Sequence, residues 1–179
     1  TRRPGNTSPT NSRRSGKIHS GLLYGGTDFD ASTTLEATGS ELIYYPVVGE
    51  GGTSLIDTSG NGHDGTFHGA KRVRQGDGFA LRLEGRGDYV DCGPSREIGL
   101  GGPVTLETWI KPTHRGHGES MLFGENYATY CMTYYSGTTC CWYIGSGANS
   151  VNAKLELGEW NHVAATFDGT HLELWINGR

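Results

Sequence analysis

Short runs in which apolar and polar residues alternate recur along the chain, separated by glycine-rich turns. Alternation with a period of two marks a strand buried on one face. The clearest case is at the end, where Trp160 to Phe167 and Thr170 to Asn177 flank Asp168-Gly169. Asp-Gly supplies the positive φ angles of a tight hairpin. A two-residue turn sets Phe167 opposite Thr170, Ala165 opposite Leu172 and Val163 opposite Leu174, giving one apolar face. His162, Glu173 and Trp175 take the other face. Asn177-Gly178 is a second turn signal before Arg179, so the hairpin is expected to lie inside a larger β-domain.

The same alternation predicts strands at Glu41–Tyr45, Gly65–His68, Phe79–Glu84, Asp88–Asp91 and Val104–Lys111. Others are predicted at Met121–Phe123, Thr129–Tyr134, Cys140–Ile144 and Val151–Leu157. No segment sustains apolar spacing at three and four residues. Short strands with frequent glycine turns bury their faces most naturally as two stacked sheets, so the fold class is all-β. Residues 1–40 are rich in Thr, Ser, Asn, Pro and Gly and read as a flexible, disordered linker, with residues 41–179 as the domain.

Charge narrows the function. Residues 1–40 hold five Lys/Arg against three Asp/Glu, whereas residues 41–179 hold ten against sixteen, a net of −6. An acidic domain without a basic stripe is a poor match for nucleic acid. Arg2, Arg3, Arg13, Arg14 and Lys17 belong to the linker, where they read as solvated. No run approaches the roughly 20 apolar residues that cross a bilayer, which argues against membrane insertion. The sequon Asn6-Thr7-Ser8 matters only in a glycosylating secretory pathway.

Cys92, Cys131, Cys140 and Cys141 lack the C-x-x-C spacing of zinc sites. A three-residue loop at Tyr135-Ser136-Gly137 sets Cys131 opposite Cys141; a slightly different loop sets it opposite Cys140. A disulfide from Cys131 to Cys141 would imply an oxidising compartment. The alternative is four buried small apolar residues.

Three segments together resemble a known family: DTSGNGHDGT at Asp57–Thr66, GDYVD at Gly87–Asp91 followed by VTLETWIKP at Val104–Pro112, and GEWNHVAATFDGTHLELWINGR at Gly158–Arg179. In this order they are similar to the LamG-like (laminin G-like) jelly-roll domains of the concanavalin A-like lectin/glucanase superfamily. The resemblance covers about residues 41–179 and implies a two-sheet antiparallel jelly-roll sandwich. It also implies further strands after Asn177-Gly178, the last returning beside the first, so the sequence is expected to be a C-terminally truncated piece of such a domain. The fold hosts lectin-like, adhesive and catalytic members, so it leaves function to the site.

The main site candidate is the loop Asp57–Asp64. Asp57, Ser59 and Asn61 alternate before Gly62, presenting hard oxygens around a sharp turn as calcium loops do. His68 stands where an EF-hand needs a glutamate, which excludes that motif. A calcium site of the kind the resemblance implies would use Asp57, Asn61 and Asp64. The competing reading is a turn whose side chains bond their own backbone.

Paired carboxylates for glycoside hydrolysis are not evident: no clustered acid triplet occurs, and Glu107, Glu173, Glu156 and Glu159 read as solvated. His114 and His117 sit in a glycine-rich loop with no third metal ligand in view. A sugar platform would use aromatic faces, and Tyr134 and Trp142 are the candidates in the aromatic hairpin, set against the reading that such rings fill the core. Trp109, Trp160 and Trp175 are expected to be structural. These readings converge on a non-catalytic, extracytoplasmic (secreted or cell-surface) recognition module for carbohydrate or a protein surface. Its competitors are an ancillary domain of a larger carbohydrate-active enzyme and an architectural or adhesive domain.

Overall fold

The computed structural model describes residues 15–17, 21–24, 45, 47–49, 51–85, 87–94, 103–116, 120–126, 130–145 and 149–179. Among these every regular element is a strand. They are β1 (Ser15–Lys17), β2 (Gly21–Tyr24), β3 (Ser54–Leu55), β4 (Gly65–His68), β5 (Lys71–Gln75), β6 (Gly78–Leu83) and β7 (Tyr89–Pro94). The chain continues through β8 (Val104–Ile110), β9 (Ser120–Asn126), β10 (Tyr130–Tyr135), β11 (Thr139–Ile144), β12 (Ser150–Lys154), β13 (Asn161–Phe167) and β14 (Leu172–Ile176).

One layer is a six-stranded sheet in the order β14-β13-β8-β2-β6-β5. Two four-stranded sheets, β12-β11-β10-β9 and β1-β7-β4-β3, pack against it. All named strand pairings are antiparallel. The larger core joins Ile110, Val163 and Ala165 of the six-stranded sheet to Leu122, Met132 and Trp142 of the facing one. A second core sets Leu81 and Leu83 against Leu55, Val90 and Cys92. Burying these alternating faces is what drives the two layers together.

Several strands arise where alternation did not reveal them. Lys71–Gln75 (KRVRQ) is too charged to read as a strand, yet it pairs with β6 across the turn Gly76-Asp77. Its solvated outer position at the end of the sheet accommodates the cations. Ser15–Lys17 and Gly21–Tyr24 fall in the stretch expected to be linker, and the structure pairs them with β7 and with β6 and β8. Of the strand expected at Glu41–Tyr45, residues 41–44 lie outside the described residues, and Tyr45 is not in a strand. The sequon, the paired arginines, His117 and Tyr127 also lie outside them.

The terminal hairpin keeps its expected faces but not its expected register. Phe167 pairs with Leu172, Ala165 with Leu174 and Val163 with Ile176, two residues further along than a two-residue turn requires. Asp168 is the cause. Its Oδ1 accepts from the Thr170 N–H at 2.7 Å, the Thr170 hydroxyl at 2.8 Å and the His171 N–H at 2.7 Å. Those donors are captured by a local Asx-type turn and do not enter the ladder. A shift of two leaves every side chain on its original face.

The same bonds, led by the His171 N–H and then the Thr170 hydroxyl, hold the Asp168 carboxyl well below its ordinary value of 3.8. A depressed carboxylate contributes stability that is complete above its unfolded pKa and is lost as pH falls through the folded value. Stability is therefore expected to decline below the ordinary carboxylate range. In Asp168→Ala that part of the decline should be absent when urea midpoints are compared through the acid range.

Candidate functional site

The loop expected to hold calcium is built around its own acids. Asp57 is buried. Its Oδ1 accepts from the Ser59 N–H at 3.0 Å, and its Oδ2 from the Ser59 hydroxyl at 2.9 Å and the His63 N–H at 3.0 Å. Asp64 Oδ1 in turn accepts from the Asp57 N–H at 2.8 Å. Ser59 Oγ receives both the Asn61 N–H at 3.3 Å and its Nδ2 at 3.2 Å. A cation drawing on Asp57 would have to displace the donors that shape the turn. As placed, these residues fit self-capping better than a calcium shell, and among the described residues no group of three His, Cys, Asp or Glu is set to hold a metal.

Beneath the loop, the Tyr45 hydroxyl donates to the His63 carbonyl, and it lies beside Cys92. Burial, opposed by that contact, pushes the Cys92 thiol up to about 11. Burial, and then the neighbouring Cys141, push the Cys140 thiol up to about 12. Such thiols stay protonated at neutral pH and are poor nucleophiles.

The hairpin of β10 and β11 requires two corrections. Tyr135 pairs with Thr139 across a loop one residue later than expected, so Cys131 lies opposite Tyr143 and Cys141 opposite Thr133. The two cysteines sit diagonally on one face, and all four cysteines are free. The expected Cys131–Cys141 disulfide is therefore not formed. The second correction concerns the aromatic platform. Trp142 is 0 % exposed, with its Nε1 donating to the Thr166 carbonyl at 3.2 Å. Tyr134 is 5 % exposed, with its hydroxyl 2.8 Å from the Gly137 carbonyl and 2.9 Å from that of His114. Neither ring can stack on a sugar, because both faces of this hairpin are largely buried.

The exposed chemistry lies on the opposite surface of the six-stranded sheet. On β13, Val163 and Ala165 point inward, so His162, Ala164 and Thr166 point out. Ala164 stands directly between Trp175 of β14 and Glu107 of β8; His162 stands opposite Trp109, and Thr166 stands between Glu173 and Thr105. His162 Nε2 lies 2.6 Å from Glu107 Oε1, and its ring is tilted at 52° on Trp109 with centroids 5.0 Å apart. Trp109 is in turn anchored with Trp160 and Val73 around buried Ala80. Glu107 is thus held by an imidazole that is itself braced, while its side chain remains 51 % exposed. Trp175 is 43 % exposed. The small Ala164 side chain leaves a shallow floor between a tryptophan ring and a fixed carboxylate. Sequence reasoning placed His162, Glu173 and Trp175 on this face but treated them separately. The missing signal was the register that aligns β14, β13 and β8.

A laminin G family model, described as the concanavalin A-like lectin/glucanases superfamily, matches residues 84–179, which is more than half of the chain. The chain belongs to this superfamily. The matched span begins just after β6 and includes β8, β13 and β14, while the Asp57–Asp64 loop precedes it. Laminin G-like domains are in general non-catalytic modules that bind carbohydrate or protein, commonly outside the cell. No curated protein and no solved structure gives a significant match. In this laminin G-like domain no described helix is long and apolar enough to cross a membrane.

Proposed function

We propose that this laminin G-like domain is a non-catalytic recognition module of the extracytoplasmic space, binding carbohydrate or a protein surface through the outer face of β8, β13 and β14. The observation that carries the reading is the exposed Trp175 ring across Ala164 from Glu107, whose position His162 fixes. An exposed aromatic ring beside an oriented polar group supplies both contact area and directionality, which recognition surfaces combine. Glu107 stands opposite Ala164 and Glu173 opposite Thr166, so the two carboxylates are offset along strands separated by β13 and do not face each other as a pair. Family membership supports binding over turnover.

The proposal includes no calcium ion, because the Asp57 carboxylate already serves the loop. Melting temperature should be the same in excess calcium and in chelator, since a native-state ligand would raise it by mass action. A calcium-dependent rise would restore the cation reading of Asp57, Asn61 and Asp64. The function itself is tested by applying the full chain to arrays of glycans and of extracellular proteins, with glucan hydrolysis assayed in parallel. Specific capture without release of sugar is expected. Release of reducing sugar, or the absence of capture on both arrays, would defeat the reading.

A further inference from the structure

We infer that the Trp175–Glu107 face takes the guanidinium of an arginine side chain presented by a protein partner. This rests on the proposed recognition role and names the chemistry of its ligand. Two observations point the same way. The nine outward positions formed by Glu173, Trp175 and Asn177, by Thr166, Ala164 and His162, and by Thr105, Glu107 and Trp109 contain two carboxylates and no Lys or Arg. Lys111, two residues beyond Trp109, and Arg179, two beyond Asn177, stand at the end of this set, and Arg82 and Lys71 lie on β6 and β5, beyond β2. Residues 41–179 also carry a net charge of −6, so a cationic partner meets a favourable field before contact.

The geometry selects arginine among cations. A guanidinium is planar and weakly hydrated, so it can lie flat on an exposed indole while its edge donates to a carboxylate. Trp175 and Glu107 are separated by one strand, with only the Ala164 methyl between them. One flat group can therefore span the gap and meet both. The His162 bond to Oε1 leaves Glu107 pre-oriented, which reduces the entropy lost when the second carboxylate oxygen receives the ligand. An ammonium group is a compact point charge and would satisfy one partner but not both. A neutral sugar could stack on Trp175 but would leave the negative field unused.

The test titrates the full chain with a capped Gly-Arg-Gly-Arg-Gly peptide and follows the Trp175 indole resonance. The matched peptide with citrulline for arginine keeps the shape and removes the charge. The arginine peptide should shift the Trp175 indole, and the citrulline peptide should not. Trp175→Ala should weaken binding by about tenfold, the scale of a desolvated cation–aromatic contact. Trp175→Phe should recover part of that loss. Glu107→Gln should weaken binding several-fold, whereas Glu84→Gln, which removes one charge elsewhere on the surface, should change it little. Each variant is exposed at the changed position, and circular dichroism and melting check that it is folded.

Equal weakening by Glu84→Gln would reduce the effect to net charge and overturn the inference. Binding that survives Trp175→Ala, equal binding of the citrulline peptide, or no binding of the arginine peptide would also overturn it. So would a neutral laminari- or cello-oligosaccharide that shifts Trp175 when the peptide does not. That last result would leave the recognition role standing and change only its ligand. Failure of the recognition role is read separately, from the arrays.

Discussion

Trp142→Ala is expected to destabilise the domain by about 3–5 kcal/mol, the range for emptying a fully buried large aromatic site. Trp142 has no exposed surface and lies in the core that joins Ile110, Leu122, Met132 and Val163 across the two layers. Its truncation leaves a cavity where both sheets meet and removes the indole N–H bond to the Thr166 carbonyl. Trp142→Phe should cost less, because the ring volume is mostly kept while the hydrogen bond is lost. Both are read as shifts in urea midpoint with an unchanged slope. A variant that loses ligand binding with full stability would return Trp142 to the role of a sugar platform.

Asn161→Leu is the second large effect. Asn161 is fully buried at the start of β13. Its Oδ1 accepts from the Glu156 N–H at 2.8 Å, and its Nδ2 donates to the Glu156 carbonyl at 3.0 Å and the Glu159 carbonyl at 2.9 Å. One side chain thereby closes the turn that carries the chain from the β12 segment into β13. Leucine matches much of its volume but satisfies none of these groups. These bonds are part-buried, and each one lost costs on the order of 1 kcal/mol. The expected total is about 3 kcal/mol or more, a large part of a typical domain's stability. Because β13 supplies His162 and Ala164, binding should fall as the fold loosens. A melting temperature close to that of the parent would contradict this role for Asn161.

The faces of the strands were legible in the sequence because a period of two survives any error of two in register. Val163, Ala165, Leu172 and Leu174 all point inward as alternation requires, although the hairpin closes through Asp168 and a longer turn. The offsets were not legible. At Tyr135–Thr139 the loop is set by Tyr134, whose hydroxyl meets Gly137 and His114, and by the bridge between Gly116 and Gly137. Those contacts come from a segment about 20 residues upstream. A one-residue change in that loop moved Cys141 from Cys131 to Thr133, and the disulfide expectation fell with it.

Burial on both faces was equally hidden. Tyr130, Met132 and Tyr134 alternate with Cys131 and Thr133, yet all five are buried, whereas alternation required only half of the hairpin's side chains to face the interior. The reverse occurred at β5, where Arg72 and Arg74 masked a strand. Arg72 covers the Phe67 ring, and Arg74 covers the Phe79 ring, so their stems and guanidinium planes take part in packing. The loop acids were seen at once, but their use was not. Asp57 and Asp64 find their donors within the turn itself, and the sequence of a capped turn differs little from that of a cation loop.

Hydrogen exchange at the four indole N–H groups, resolved by NMR and assigned through single Trp→Phe variants, reads which rings are inside and which face solvent. The Trp142 proton should exchange as slowly as the core amides, while the Trp175 proton should be gone within the dead time. A protected Trp175 together with a rapidly exchanging Trp142 would place the recognition face on the other sheet and contradict the account.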